Sequence, residues 1–331
     1  MKNKVLITGG AGFLGYHLAN RLLDEGFIVH LVDDFSRGVK DKDLKILLDR
    51  TNCSFKSLNC LDINAVQSLG LDFEYIFHLA AIIGVVHVNK RPYRVLVDNL
   101  LMLDNMISFA KSQNNLKRFM FPSTSEVYAG TLENFDLTIP SPEETPLAIT
   151  ELTRARTSYM LSKISGECLC HYSDIPYTIF RPHNIYGPRM GSIHVVPGQL
   201  RKAYEAKNGE NIFVSSVNQT RSFCFVDDAT IMLSKMMLSE NCLGETLNLG
   251  IEDPETTILE VSKICHDIVG RKVKIIPEDA PPGSPERRAP DMTKTFNLIE
   301  YSAQTGLRNG IEKTYEWYNE NVFSCSGNTA N

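Results

Sequence analysis

Tyr159 and Lys163 stand four residues apart in the run Tyr159-Met160-Leu161-Ser162-Lys163, so a helix there sets a phenol and an ammonium on one face. A free phenol titrates near pH 10; a neighbouring cation, together with the positive charge of an oxidised cofactor, would lower it and make the phenolate a usable base. A hydroxyl cluster with one carboxylate, Ser123-Thr124-Ser125-Glu126-Val127-Tyr128, follows the apolar run Arg118–Pro122. The third feature is Thr8-Gly9-Gly10-Ala11-Gly12-Phe13-Leu14-Gly15, which satisfies both GxGxxG and GxxGxxG. Gly9 permits a tight turn, Gly12 lets backbone N–H groups approach a pyrophosphate, and Gly15 allows close packing of helix on sheet. Asp33 follows about 20 residues on, where an acid grips an adenosine ribose and repels a 2′-phosphate. The spacing therefore predicts a dinucleotide site that favours NAD over NADP, with Arg37 just past the acid as the one residue that would tolerate NADP. Asp62, at the end of the next strand, is placed to meet the adenine.

The elements that must position these groups follow a strand-helix rhythm. Val5–Ile7, 27–32, 55–59, 75–79, 118–122 and 177–181 read as strands; 12–25, 97–111 and 159–172 read as helices. Such alternation predicts a doubly wound, Rossmann-type parallel sheet of the α/β class, with chemistry beyond the carboxyl ends of its strands. After Pro182 the rhythm breaks, with prolines and glycines gathering at 187–198 and 277–290. The expected division is a Rossmann domain over 1–182, with returns near 223–250, and an interleaved smaller α/β substrate-binding domain over 183–331. The long connection 128–159 carries Pro140, Pro142 and Pro146 and is expected to be a lid. Residues 324–331 are expected to fray.

The totals exclude several classes. The 331 residues carry a net charge of −5, which offers no basic surface for nucleic acid. No apolar run approaches the ~18 residues of a membrane span, and the N-terminus enters its first strand too quickly for a signal peptide. The eight cysteines form no CxxC pair and no histidine cluster has zinc spacing, so reduced thiols, no metal and a cytoplasmic location are expected.

The ordered motifs TGGAGFLG (8–15), HLAA (78–81), PSTSEVY (122–128), YMLSK (159–163), RPHNIYGPRMG (181–191), RSFCFVDD (221–228) and RRAPD (287–291) resemble the signature set of the extended short-chain dehydrogenase/reductase family. Its members are NAD-dependent nucleotide-sugar epimerases, 4,6-dehydratases and decarboxylases, and the likeness runs from about residue 3 to 322. The resemblance implies Tyr159 as the base on a sugar hydroxyl, Lys163 on the nicotinamide ribose, and Thr124 bonded to the same sugar oxygen. It places NAD against Gly9, Gly12, Phe13, Leu14, Gly15, Asp33, Asp62, Ile63, Leu79, Ala80 and Asn99. It places the nucleotide sugar, with UDP favoured, against Thr124, Ser125, Asn184, Val195, Arg221 and Arg288. Family members often have Tyr-Gly where Tyr128-Ala129 stands, and galactose-type epimerases often carry a lysine near Ile82-Ile83-Gly84.

All branches of the family pass through a 4-keto sugar. Glu126 separates them, because simple 4-epimerases need no second acid or base there. The Thr124-Ser125-Glu126 run resembles that of UDP-glucuronate decarboxylases and of certain 4,6-dehydratases; decarboxylation is the favoured branch, with 4-epimerisation and 4,6-dehydration as alternatives. An NAD-bound regulatory protein without turnover is a reading of another class; intact Thr124, Tyr159 and Lys163 argue against it. Pairing through helices near 98–111 and 159–172 is expected to give a homodimer, with Met102, Met106, Leu161 and Cys168 at the seam.

Overall fold

The computed structural model describes residues 3–280 and 285–324. The 281–284 part of the proline-rich stretch and the tail from 325, with Cys325, lie outside the described residues. Six strands alternate with helices: β1 Lys4–Thr8, α1 Phe13–Asp24, β2 Ile28–Asp33, α2 Lys42–Leu48, β3 Cys53–Ser57, α3 Ile63–Gln67, β4 Tyr75–His78, α4 Val85–Lys90, α5 Pro92–Lys111, β5 Arg118–Pro122, α6 Ala129–Asn134, α7 Ala155–His171 and β6 Tyr177–Pro182. Val5, Leu6 and Ile7 of β1 are fully buried, as a central parallel strand covered on both faces requires.

A seventh strand, Thr246–Leu249, pairs parallel with β6, and the sheet order runs from it through β6, β5, β4, β1 and β2 to β3. The winding direction reverses between β1 and β4, which opens a crevice at their carboxyl ends. The glycine turn after β1, Asp33 at the end of β2, Leu79 after β4 and the hydroxyl cluster after β5 all lie on that edge. The sheet thus assembles the candidate groups before any side chain is considered.

Two of the three expected helices begin earlier in the chain than expected. α5 begins at Pro92 rather than near 97, since proline suits a first turn whose N–H has no helical partner. α7 begins at Ala155, which brings Arg156 onto the helix of Tyr159. Met102 and Met106 do not face outward as the dimer seam required; they are buried in the core between α5 and the sheet. Leu161 is half-buried and Cys168 exposed.

The connection expected to be a lid is fastened down. It contains α6, and Ala148 lies so close over that helix that a Cβ on Gly130 would meet its carbonyl oxygen at 1.8 Å. Ser141 donates its N–H to Ala289 O at 2.9 Å, and its carbonyl accepts from Asp291 N at 3.0 Å and from Asn248 Nδ2 at 2.9 Å.

Beneath this connection lies a buried ion pair. Arg181 on β6 donates Nε to Glu167 Oε1 at 2.9 Å and Nη2 to Oε2 at 2.7 Å, while Nη1 donates to Tyr128 Oη at 2.7 Å and to Glu143 O at 2.9 Å. Ser123 Oγ also donates to Glu167. Removing one partner leaves the other charge buried and unpaired. Glu167→Ala and Arg181→Ala are each expected to cost about 3–5 kcal/mol in urea denaturation. The double variant should lose clearly less than the sum of the two.

Candidate active site

The glycine turn is a cradle that any side chain would fill. Gly9 has φ +69°, and a Cβ there would stand 2.9 Å from Ala80 N. A Cβ on Gly15 would meet Gly9 O at 2.3 Å. Gly12 caps α1 with no side chain, leaving the first-turn N–H groups free to face an anion. Ala80 N is itself anchored to Thr8 Oγ1 at 3.1 Å. Phe13, Leu14 and Leu79 are half-buried around this turn.

Asp33 is 8% exposed and aimed by two backbone donors, Ala11 N at 3.1 Å on Oδ2 and Phe35 N at 2.8 Å on Oδ1. Burial raises its pKa and these two N–H groups pull it back. This donor set fits NAD: a bare helix N-terminus for the pyrophosphate and an oriented acid for the ribose. Asp62 is exposed and caps α3, with Oδ1 accepting from Asn64 N at 3.0 Å and Ala65 N at 3.1 Å; Ile63 follows at the helix start. Asn99 is buried and braces the groove wall, accepting from Ile82 N at 2.7 Å and donating to Ile82 O at 3.1 Å.

The candidate reacting groups converge from two elements, the turn after β5 and α7. Thr124 is extended, accepts from Glu126 N at 3.2 Å and starts the single turn Ser125–Tyr128. Tyr159 and Lys163 come from α7, but their relation differs from what spacing alone suggested. Lys163 Nζ stands 5.9 Å from the Tyr159 ring centroid and donates instead to Pro122 O at 2.7 Å. Burial pushes the phenol up to about 12, aided by the Glu126 charge and opposed by a Thr124 hydrogen bond and by Arg37. Burial brings the Lys163 ammonium down to about 8. The phenol is therefore protonated in the free chain, and a further positive charge is needed to make it a base.

Glu126 is the most constrained group of the site. Its Oε1 accepts from Arg288 Nη1 at 2.9 Å and its Oε2 from Arg156 Nη2 at 3.0 Å. Burial opposes its charge, yet the two arginines outweigh burial and hold the carboxyl below its ordinary range. Arg288 and Arg221 are register partners in a parallel pairing of Arg287–Arg288 with Thr220–Ser222. Burial lowers the Arg221 pKa to about 10, and Arg288 adds to that. Asn184, at φ +43°, donates Nδ2 to Ser222 O at 3.3 Å and so belongs to the same wall; Val195 opens the helix Val195–Glu205 beyond it. Sequence reasoning missed Arg156, although its place three residues before Tyr159 on one helix was a usable signal.

His183, beside Asn184, is structural: fully buried, brought down to about 3 by burial, and bonded through Nε2 to Asn248 Oδ1 at 3.2 Å.

The depressed Lys163 pKa has a consequence for stability. Between about pH 8 and 10.5 the unfolded chain binds more protons at this site than the folded one, so its penalty disappears as pH rises. Below pH 8 the cost of burying the charge is about 3 kcal/mol. The stability of Lys163→Met minus that of the native chain should therefore fall by up to that amount between pH 7 and 10.5, read by denaturant unfolding at each pH.

Residues 5–250 match the model of the NAD dependent epimerase/dehydratase family. The chain is 32% identical, over 97% of its length and 99% of the relative's, to the UDP-N-acetyl-alpha-D-glucosaminuronate decarboxylase of Bacillus cytotoxicus. It is 30% identical to UDP-glucuronic acid decarboxylase 4 of Arabidopsis thaliana, over 97% of this chain and 69% of that one. Among solved structures it resembles the UDP-glucuronic acid 4-epimerase of Bacillus cereus in complex with UDP-glucuronic acid and NAD, with 26% identity, a TM-score of 0.80 and coverage of 96% and 99%. No helix among the described residues is long and apolar enough to cross a membrane. With the glycine cradle, the ribose acid and the Thr124-Tyr159-Lys163 centre on one sheet edge, the chain belongs to the NAD-dependent epimerase/dehydratase family and is an NAD-dependent enzyme.

Proposed function

We propose that this enzyme decarboxylates a UDP-linked uronic acid. The observation that carries the reading is Glu126 held between Arg156 and Arg288 beside Tyr159. Two guanidinium groups that each donate one N–H to the same carboxylate are donors of the kind a sugar C6 carboxylate pairs with. The likeness to two UDP-uronate decarboxylases supports the same reading. We assign Arg288 to this reacting end, and Arg221, Asn184 and Val195 to the nucleotide and diphosphate. The segment after residue 182 is the substrate-binding lobe of this proposal.

NAD, when bound, supplies the hydride acceptor and donor for C4 and a positive ring beside the phenol. Tyr159 takes the C4 hydroxyl proton, and Thr124 holds the same oxygen. Lys163, fixed by Pro122 O, binds the nicotinamide ribose. Once C4 is a ketone, the C5–C6 bond breaks; its electron pair enters the C4 carbonyl as an enolate and C6 leaves as carbon dioxide. Arg156 and Arg288 hold the leaving carboxylate, and their charge keeps Glu126 ionised until substrate arrives. Protonation at C5 and return of hydride at C4 give the shortened sugar, with no net change in NAD.

The proposal includes a homodimer and a cytoplasmic setting. Tyr93 and Leu101 on α5 and Tyr172 just past the end of α7 are large apolar side chains that are 70%, 48% and 80% exposed. All seven cysteines of the described residues are free, which suits a reducing compartment. Sedimentation at micromolar concentration should give twice the chain mass, and a monomer refutes the dimer.

The holoenzyme should be incubated with UDP-glucuronate, UDP-N-acetylglucosaminuronate, UDP-glucose and dTDP-glucose, with products read by mass and NMR. Loss of carbon dioxide from a uronate without added NAD supports the reading. Unchanged mass with inverted C4 couplings, or loss of water from a neutral hexose, overturns it. Tyr159→Phe should lower kcat by about 10²- to 10⁴-fold with nucleotide affinity retained, whereas a regulatory binder would lose nothing.

A further inference from the structure

The segment Gly187-Pro188-Arg189-Met190, which joins the sheet to the helix Val195–Glu205, holds an arginine that the chemistry above does not use. Arg189 adopts φ +63°, a left-handed backbone that a non-glycine residue keeps only where its surroundings enforce it. Its side chain is only 3% exposed. The guanidinium lies 4.1 Å from the ring centroid of Tyr16 on α1. Nε donates to Asp41 Oδ2 at 2.7 Å and Nη2 to Val39 O at 3.3 Å, while Nη1 is buried with no partner among the described residues.

These partners belong to the loop between β2 and α2, which begins at the ribose acid Asp33. The inner side of that loop rests on the dinucleotide site itself. A Cβ on Gly38 would stand 2.7 Å from Ala11 Cβ and 2.8 Å from Asp33 Oδ1, and Val39 N donates to Ala11 O at 3.4 Å. Its outer side is gripped by Arg189, and Asp41 uses its other oxygen to cap α2 through Leu44 N at 2.8 Å. The gripping segment is itself tethered: Pro188 O is bonded to His17 Nε2 at 2.9 Å, and Met190 O accepts from Tyr318 Oη. A buried charge, a strained backbone and a contact across 148 residues converge on one short loop.

We propose that Arg189 is a positioning residue for the cofactor: it holds loop 34–41 against the Asp33 carboxylate and thereby sets how tightly the adenosine end of NAD is retained. It hydrogen-bonds no candidate reacting group and acts on the loop through Asp41 and Val39. An arginine is required because its fork reaches the carboxylate and the carbonyl together while its face lies on Tyr16; a lysine supplies only the charge. The inference rests on NAD binding alone and is independent of which sugar reaction the enzyme performs.

The test is the release rate of NAD from the purified holoenzyme, chased with excess ADP-ribose, for Arg189→Ala, Arg189→Lys, Asp41→Asn and the Arg189→Ala/Asp41→Asn pair. Arg189→Ala and Asp41→Asn should each speed release about tenfold or more. Arg189→Lys should fall between native and alanine, and the double variant should release no faster than the faster single variant. A release rate within twofold of native for both single variants overturns the proposal. So do multiplicative effects in the double variant, since a general loosening of the fold by Arg189→Ala would add to the loss of Asp41 rather than share it. If Arg189→Ala does not fold, Asp41→Asn and Arg189→Lys decide between the same outcomes.

Discussion

Glu167 and Arg181 lie away from water beneath the sheet edge, and their bidentate pairing holds the reacting centre in register. Desolvating two charges costs several kcal/mol per ion, repaid only when geometry and additional hydrogen bonds are good. Here Ser123, Tyr128 and Glu143 O complete the shell. The pair joins α7, which carries Tyr159 and Lys163, to β6 and to the turn that carries Thr124 and Glu126. Lys163 and Glu167 lie four apart on one helix face, so the ion pair and the working ammonium share a wall. α7 and that turn must agree in position before the phenol, the threonine hydroxyl and the glutamate can face one another.

The same economy governs the charges above it. The site pairs Arg156 and Arg288 with Glu126 and sets Arg221 beside Arg288, on a chain whose net charge is −5. Local placement, not overall composition, creates the cationic surface that an anionic sugar nucleotide needs. Glu126 already accepts from Arg156 and Arg288, so both guanidinium groups are oriented in the free chain.

How much of this was legible in the sequence follows the range of each interaction. The glycine turn, Asp33 and the strands before them were readable because each is determined within a few residues by turn geometry and apolar runs. The Tyr159–Lys163 spacing was readable for the same reason, but the direction of the phenol's titration was not, since burial by distant elements controls it. Met102 and Met106 fit an amphipathic stripe equally well facing core or solvent, and the periodicity of α5 alone did not choose. The register that sets Arg221 beside Arg288, and the reach of Arg189 to Asp41, join segments far apart in sequence and leave no local trace. The connection 128–159 looked featureless because its order comes from Asn248, Ala289 and Asp291, late in the chain.

The strand Thr246–Leu249 closes one border of the sheet, although its neighbour β6 was completed by residue 182. During synthesis, about sixty further residues must emerge before that border is covered, and until then Phe180 and Ile179 sit beside a row of unpaired peptide groups. Asn248, which ties down Tyr128 and Ser141, arrives on that same late strand. The nascent chain therefore passes through a stage with β6 unpaired on one side and the anchors of Tyr128 and Ser141 still missing, when association between growing chains competes with maturation.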